Sequence, residues 1–323
     1  MKRLINLAHY DGVLDWFRPP HKDLEFFLHD HGLDGVELLL FGEEVTIPKR
    51  VVGGVHLRTW SYWLDFWYGN EERLLDNFLT RENVAEVYGG EDRGALISWY
   101  RKEFAMVRSL GARYMVFHVS DIDLHELYTG DYHYSDLEVI DATIELINES
   151  FQEDSEVMLL FENMWGPGMR YDDLSLVQRL FEGVRYKNKG LIMDLSHYAI
   201  AKGGISSEVL LYEEIRDMVS SEPKWKDYFK GIHISEAVPW DALSGIRKDA
   251  EGVSPLYPMD LDNRFNHNMT QVGRMDTHRP FSHGCISSIL TLLSPDFVVY
   301  EFIAKDREEL SRWIALQNSY LEG

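Results

Sequence analysis

Cysteine, basic side chains and long apolar runs are all scarce in this sequence. Cys285 is the single cysteine among 323 residues, so no intramolecular disulfide can form, which suits a reducing compartment. No apolar stretch approaches the ~18–20 residues of a membrane-spanning helix. The N-terminal apolar run is interrupted at Asn6, His9 and Asp11, before the core of a signal peptide could form. We therefore expect a cytoplasmic protein without a membrane partner.

Basic residues are outnumbered by acidic ones, 32 to 54, which gives a formal net charge of −22. Such a surface repels a phosphate backbone, so nucleic acid is an unfavourable partner, although metal ions could still create a local phosphate site. With 45% hydrophobic and 27% charged residues, the composition is that of a globular protein. We expect a small polar or phosphorylated substrate, and a homo-oligomer is compatible with the sequence.

Short apolar segments alternate with longer amphipathic ones, as in repeated βα units. The helical patterns include Arg93–Leu110, Asp136–Ser150, Leu174–Val184, Ser207–Ser220 and Lys305–Tyr320. The strand candidates are Arg3–Ala8, Gly35–Leu40, Val51–Leu57, Arg113–Val119, Glu156–Glu162, Gly190–Asp194, Gly231–Ser235 and Phe297–Phe302. Eight such strands predict an α/β protein with a (β/α)₈ fold, a TIM barrel, formed by residues 1–323 as one domain.

Two insertions interrupt the repeating pattern, near 58–70 and 237–275. The first contains the aromatic run Trp60–Tyr68, which either contributes a substrate contact through Trp60 or packs a helix onto the barrel. The second contains Pro239, Pro255 and Pro258, which we expect to interrupt any helix. Long loops of this kind are often lids or specificity elements.

Metal-ligating side chains end six of the predicted strands. The residues are His56, His118, Glu162, Asp194 with the nearby His197, His233 and Glu301, and Asp276 and His278 precede the last strand. In a barrel these strand ends lie at one face, where burying several unpaired carboxylates is costly unless cations are bound. Imidazole and carboxylate together favour zinc, with manganese, iron or cobalt as alternatives.

The number of ions determines the charge of this predicted cluster. Glu162, Asp194, Asp276 and Glu301 together carry −4 when ionised. One divalent ion would leave the cluster near −2, whereas three would leave it near +2. A positive cluster would attract an anionic substrate and stabilise an anionic transition state even in an acidic protein.

Five segments follow one another along the chain: Gly32-Leu-Asp-Gly-Val-Glu37-Leu, Phe161-Glu162-Asn163 through Gly168, Asp194-Leu-Ser-His197, His233-Ile-Ser-Glu236, and Asp276-Thr-His278 through Gly284. In this order they resemble the xylose isomerase-like barrel superfamily, most closely its endonuclease IV (family 2 AP endonuclease) type. The sequence departs from the endonuclease pattern in Ser282-His283 and in the long stretch between His233 and Asp276.

The resemblance implies up to three ions and assigns each a set of ligands. The three sets are His56, His118 and Glu162; Glu162, Asp194, His233 and Glu301; and His197, Asp276 and His278. Sugar isomerases and epimerases of the superfamily use the second set, with two glutamates acting as acid and base. In this sequence those residues are Glu162 and Glu301.

The full ligand set favours a two- or three-metal hydrolase that acts on a phosphoester in a small substrate, with Glu162 orienting the attacking water. The alternative is a single-metal sugar or sugar-phosphate isomerase or epimerase. An endonuclease acting at abasic sites in DNA is less compatible with the charge. His283, Arg279 and Arg170 are candidate substrate contacts.

Overall fold

Eight parallel strands close into a barrel in the computed structural model of this chain, which describes residues 1–41, 44–123, 126, 130–171, 173–203, 207–237, 242–243, 245–246 and 260–322. Their order around the barrel is β1-β10-β7-β6-β5-β4-β3-β2. These strands are β1 Lys2–His9, β2 Gly35–Leu40, β3 Val52–His56, β4 Tyr114–His118, β5 Met158–Glu162, β6 Lys189–Asp194, β7 Phe229–Ile234 and β10 Phe297–Tyr300. The predicted (β/α)₈ fold is confirmed.

Helices follow or connect the strands around the outside of the barrel. Ser135 begins one of them with a capping box, in which its side chain and that of Glu138 satisfy each other's backbone N–H groups. Gly111 ends another in the left-handed conformation, at φ 71°. The described helices are α1 Asp11–Leu14, α2 Pro20–Asp30, α3 Leu64–Tyr68, α4 Glu71–Phe78, α5 Arg81–Tyr88, α6 Gly94–Leu110, α7 Asp136–Ser150, α8 Leu174–Gly183, α9 Leu195–Ala201, α10 Glu208–Ser221, α11 Leu261–Met275, α12 Cys285–Leu293 and α13 Arg307–Glu322.

The barrel interior is filled at its lower level by large apolar side chains. Because successive strand residues face opposite sides, every second residue of each strand points inward. The lower level forms one buried cluster of Leu4, Tyr114, Val116, Leu160, Ile192, Phe297 and Val299. Two residues further along several of these strands, the inward positions carry the predicted metal ligands, which places those side chains above a packed floor.

The aromatic segment 60–68 packs against the outside of the barrel. Trp60 is 9% exposed, stacks on Tyr88 and meets Trp99 edge to face, and its indole N–H donates to the carbonyl oxygen of Val87. Trp63 donates in the same way to the carbonyl oxygen of Ser120. Trp60 is therefore a packed side chain in this structure, and its predicted substrate contact stays a prediction.

The second insertion begins and ends in a two-stranded antiparallel ribbon, β8 Glu236–Ala237 and β9 Asp276–Arg279. Between them, Leu261–Met275 forms helix α11 with Asp260 as its N-cap. All three prolines of the insertion precede this helix and do not interrupt it, and the expectation that they interrupt any helix around them stays a prediction. Pro239, Pro255 and Pro258 lie outside the described residues.

No helix in the described ranges combines the length and the apolar character needed to cross a bilayer.

Candidate metal centre

The carboxyl ends of the barrel strands bring the predicted ligands together. The side chains form two groups that share Glu162, and within each group one ligand atom per residue lies within 4.8 Å of the others. The first group is His56, His118 and Glu162, and the second is Glu162, Asp194, His233 and Glu301. Both groups follow from strand alternation, since each side chain occupies an inward-facing position within one residue of the end of its strand.

In the first group, three ligand atoms form a small triangle. His56 Nε2 and His118 Nε2 lie 3.0 Å apart, and they lie 3.2 and 3.1 Å from Glu162 Oε2. A tetrahedral zinc site with bonds of 2.0–2.1 Å has ligand–ligand edges of roughly 3.3 Å. The triangle therefore has the size of one face of such a site.

In the second group, three carboxylates surround one imidazole nitrogen. His233 Nδ1 lies 3.1 Å from Glu162 Oε1, 3.3 Å from Glu301 Oε2 and 3.9 Å from Asp194 Oδ2. Asp194 Oδ2 and Glu301 Oε2 are buried without a hydrogen-bond partner in the described part of the chain. Buried carboxylate oxygens with no donor are costly, and a divalent cation would satisfy them, so this donor set fits a metal ion.

A third set of residues is arranged around Asp276, at the start of β9. Asp276 Oδ1 accepts a hydrogen bond from Ser196 Oγ at 2.6 Å. Its Oδ2 lies 3.3 Å from His197 Nε2 and 2.9 Å from His278 Nε2. His278 adopts a left-handed backbone conformation, with φ 47°, which is unusual for a residue other than glycine. Strained conformations of this kind tend to occur at functional sites.

Hydrogen bonds made by Nδ1 fix the orientation of three of these histidines. A backbone carbonyl can only accept a hydrogen bond, so each Nδ1 that contacts one must carry a proton. In the neutral ring Nε2 is then unprotonated, and its lone pair can bind a cation. The carbonyl acceptors are Leu57 for His56 at 2.9 Å, Asn163 for His197 at 3.0 Å and Glu301 for His278 at 3.2 Å. All three Nε2 atoms point at carboxylates, which is the arrangement found at metal-ligating histidines.

The cluster shifts the pKa values of its own members strongly. Burial disfavours the charged form of His56, but the hydrogen bond and charge of Glu162 outweigh it and raise the pKa of His56 to about 9. Burial is likewise outweighed at Glu162, where the charges of His118 and His233 hold the carboxyl pKa well below its usual range. Burial, with further carboxylates nearby, raises the pKa of Asp194 well above its ordinary value. A bound cation would replace the protons that balance these charges.

Part of the ligand cluster reaches solvent. The side chains of Glu162 and His233 are 0% exposed, whereas those of Glu301 and His118 are 14% and 15% exposed. The buried residues Glu162 and His233 form the inner part of the cluster, and the partly exposed Glu301 and His118 form its open edge. A small substrate would therefore approach from the side of Glu301 and His118.

Two residues that hold the ligands in place were not assigned a role from the sequence. Glu37 lies in the middle of β2 and contacts His233 Nε2 at 3.1 Å. Asn163 links the ends of β5 and β6, because its side chain both donates to and accepts from the backbone of Asp194. A charged residue inside the apolar run Gly35–Leu40 was the available signal for Glu37.

The candidate substrate contacts lie outside the two ligand groups. Arg279 is exposed at the end of β9. His283 Nε2 lies 2.9 Å from Glu236 Oε1, and both side chains are partly exposed. Arg170 forms an ion pair with Asp136 at 2.6 Å, which favours a structural role for it.

A family model described as the xylose isomerase-like TIM barrel matches residues 88–294, more than half of the chain. The chain belongs to this family. The known members are enzymes, among them isomerases, epimerases and endonucleases. Among curated proteins, no sequence matches this xylose isomerase-like barrel significantly.

Solved structures similar to this xylose isomerase-like barrel carry different activities in their names. A sugar phosphate isomerase/epimerase from Parabacteroides distasonis is 10% identical with a TM-score of 0.50, covering 99% of this chain and 93% of its own. A 3-keto-D-glucoside 4-epimerase from E. coli is 12% identical with a TM-score of 0.50, covering 100% of both chains. Endonuclease IV from Thermus thermophilus is 13% identical with a TM-score of 0.50, covering 100% of this chain and 99% of its own. These similarities establish the shared fold.

Proposed function

We propose that this protein is a metal-dependent isomerase or epimerase that moves a proton next to a carbonyl group of a small sugar-like substrate. The observation that carries the proposal is the second ligand group, in which Glu162 and Glu301 approach His233 Nδ1 at 3.1 and 3.3 Å. Two carboxylates held beside one cation site can act as base and acid in turn. In support, two of the three similar structures named above are sugar isomerases or epimerases.

Glu162, Asp194, His233 and Glu301 would hold one divalent ion, which when bound polarises the substrate carbonyl and stabilises negative charge on its oxygen. One glutamate would remove the proton from the carbon beside the carbonyl, and the other would return a proton to the substrate. Glu301 is at the open edge of the cluster, where its side chain is 14% exposed although its Oε2 is buried, so a substrate would meet it from that side. His56 and His118, which border the same edge, would then bind substrate hydroxyl groups.

Phosphoester hydrolysis, which the sequence ranks first, is the second candidate. The specific observation in its favour is that His56 and His118 form a ligand triangle of their own with Glu162. The set around Asp276 adds a third place where imidazole nitrogens face a carboxylate. Three divalent ions would leave the four carboxylates near +2, a charge that favours an anionic phosphoester, whereas two would leave them near neutral.

The number of bound ions separates the two candidates. Protein purified without chelator should contain one transition-metal ion per chain if it is an isomerase or epimerase, and two or three if it is a hydrolase. Elemental analysis by mass spectrometry measures this directly. Protein that binds no ion at all, even after reconstitution with Zn²⁺ or Mn²⁺, would contradict both candidates.

Isotope exchange tests the proposed chemistry itself. Incubated in D₂O with a panel of ketoses and ketose phosphates, the metal-loaded protein should exchange deuterium into the carbon beside the carbonyl of one of them. Glu301→Gln should abolish this exchange, whereas Glu236→Gln, which removes a carboxylate bound by Ser282 and His283, should retain it. Release of inorganic phosphate without deuterium exchange would favour hydrolysis instead.

A further inference from the structure

Glu37 is a buried carboxylate that the proposed proton transfer does not use. It is 1% exposed, in the middle of β2, and points into the barrel. Its Oε2 accepts a hydrogen bond from Tyr114 Oη at 2.7 Å, and its Oε1 lies 3.1 Å from His233 Nε2. A charged group buried this deeply is retained only with such partners. The contacts therefore connect β4 to β7 through one carboxylate on β2.

A glycine makes the contact between Glu37 and Tyr114 possible. Glu37 pairs in register with Gly54 on β3, and Gly54 pairs with Tyr114 on β4, so the three residues lie at one level of the barrel. A Cβ atom at Gly54 would lie 2.2 Å from Cζ of the Tyr114 ring. Since glycine has no side chain, the tyrosine ring can cross β3 and place its hydroxyl against Glu37.

Glu37 determines which nitrogen of His233 faces the ligand group. An ionised carboxylate only accepts hydrogen bonds, so the Nε2 atom that contacts Glu37 must carry a proton. In the neutral ring Nδ1 is then unprotonated, and this is the atom that faces Glu162 and Glu301 at 3.1 and 3.3 Å. The contact with Glu37 therefore stabilises the His233 tautomer whose Nδ1 can bind a cation.

We propose that Glu37, held by Tyr114 in the space above Gly54, is a positioning residue that fixes the tautomer and orientation of His233 and thereby sets the metal affinity of the second ligand group. This inference rests on the metal site of the proposed function. Glu37 does not belong to either ligand group, and the group member that it contacts is His233. Carboxylates that orient metal-ligating histidines typically change metal affinity by about 10–100-fold.

Zinc affinity of the purified full-length protein tests the proposal. Competition with a chromophoric chelator should show that Glu37→Gln, which keeps the shape but removes the charge, weakens Zn²⁺ binding by about 10–100-fold. Tyr114→Phe, which removes only the hydroxyl, should weaken it less and in the same direction. The matched control is Tyr186→Phe, which removes another buried hydroxyl, one that donates to the carbonyl oxygen of Val157 at 2.6 Å.

A spectroscopic readout separates positioning from general loss of structure. In the Zn²⁺-loaded protein, the Nε2–H proton of His233 should resonate downfield because it donates to a carboxylate, and Glu37→Gln should move it upfield. His233→Gln identifies the signal. Neither change is expected in Tyr186→Phe.

The outcomes distinguish this inference from the proposed function. If the wild-type protein binds Zn²⁺ and Glu37→Gln binds it with unchanged affinity and an unchanged His233 signal, the positioning role is wrong and the metal site stands. If the wild-type protein binds neither Zn²⁺ nor Mn²⁺, the proposed function fails first and the inference fails with it. If Glu37→Gln does not fold, a Tyr114→Phe affinity equal to that of Tyr186→Phe would overturn the proposal.

Discussion

The lower and upper levels of the barrel interior are built on the same strands and differ in chemistry. On three neighbouring strands the inward-facing pairs are Val116 and His118, Leu160 and Glu162, and Ile192 and Asp194. The lower member of each pair packs into an apolar cluster, and the upper member belongs to a ligand group. A step of two residues therefore changes the interior from packing to ligand chemistry. Because packed interiors deform little, the lower level holds the ligand atoms in place.

Removing the carboxylate that both ligand groups share should have the largest effect on metal binding and on the reaction rate. Glu162→Gln is expected to lower the exchange rate of the proposed reaction by about 10²–10⁴-fold, because a proton-transferring group is lost. Its metal content should also fall, because Glu162 belongs to both groups. Exchange kinetics and elemental analysis measure the two effects. A Glu162→Gln protein with unchanged metal content and rate would show that the groups are structural.

Substitution of Leu160, two residues before Glu162, should lower stability and leave metal binding largely unchanged. Leu160→Ala opens a cavity in the lower level and is expected to reduce the free energy of unfolding by about 2–5 kcal/mol. Urea denaturation of the metal-free protein measures this loss. Zinc affinity of the folded variant should stay close to that of the wild type. A large loss of affinity without loss of stability would mean that the two levels are not separable.

A buried carboxyl outside the two ligand groups shows how the ligand cluster changes the pKa of a carboxyl that lies within it. Glu103 on α6 is 5% exposed and accepts from the backbone N–H of Arg58, and burial raises its pKa from 4.5 to about 7. Glu162 is more deeply buried, yet the imidazoles around it lower its pKa. The environment, rather than burial alone, decides which form of a buried carboxyl is favoured.

This contrast predicts a pH dependence of stability. Since the folded protein binds the Glu103 proton more tightly than the unfolded chain does, the wild type loses stability as the pH rises from 4.5 to about 7. Glu103→Gln cannot titrate, so the stability of the variant relative to the wild type should rise by up to about 3 kcal/mol across that range. Urea denaturation at several pH values measures the difference. A difference that stays constant with pH would contradict the assignment.

The smallest effect is expected at the aromatic segment outside the barrel. Trp60→Phe removes the hydrogen bond from the indole to Val87 and is expected to cost about 1 kcal/mol of unfolding free energy. The Michaelis constant should not change, because the ring is buried against other aromatic side chains. A raised Michaelis constant at unchanged stability would restore the substrate-contact interpretation.

The strands and the convergence of the ligands could be predicted from the sequence for a simple reason. Short apolar runs such as Gly190–Asp194, which alternate with longer helical patterns, indicate buried strands, and the carboxyl ends of parallel barrel strands meet at one face. The location of Glu162 and Asp194 follows from these two rules. No distance between particular atoms is needed to place them together.

The supporting contacts could not be predicted, because they depend on register between strands. Glu37 meets Tyr114 only because a glycine lies between them at the same level of the barrel, and periodicity within one strand carries no such information. The place of Asp276 depends on pairing with β8, which is distant in sequence. The helix Leu261–Met275 was not predicted, because the three prolines of the same insertion suggested an irregular segment although all of them precede the helix.

The ribbon of β8 and β9 has a consequence for how this barrel can vary. Ala237 faces Asp276 across the ribbon, so the chain leaves the barrel and returns to it at the same point. Insertions between these two anchors are therefore expected to leave in place the carboxylate that Ser196 holds. The segment between β8 and β9 can therefore be replaced, by evolution or by engineering, to change substrate specificity while the arrangement of the ligands is kept.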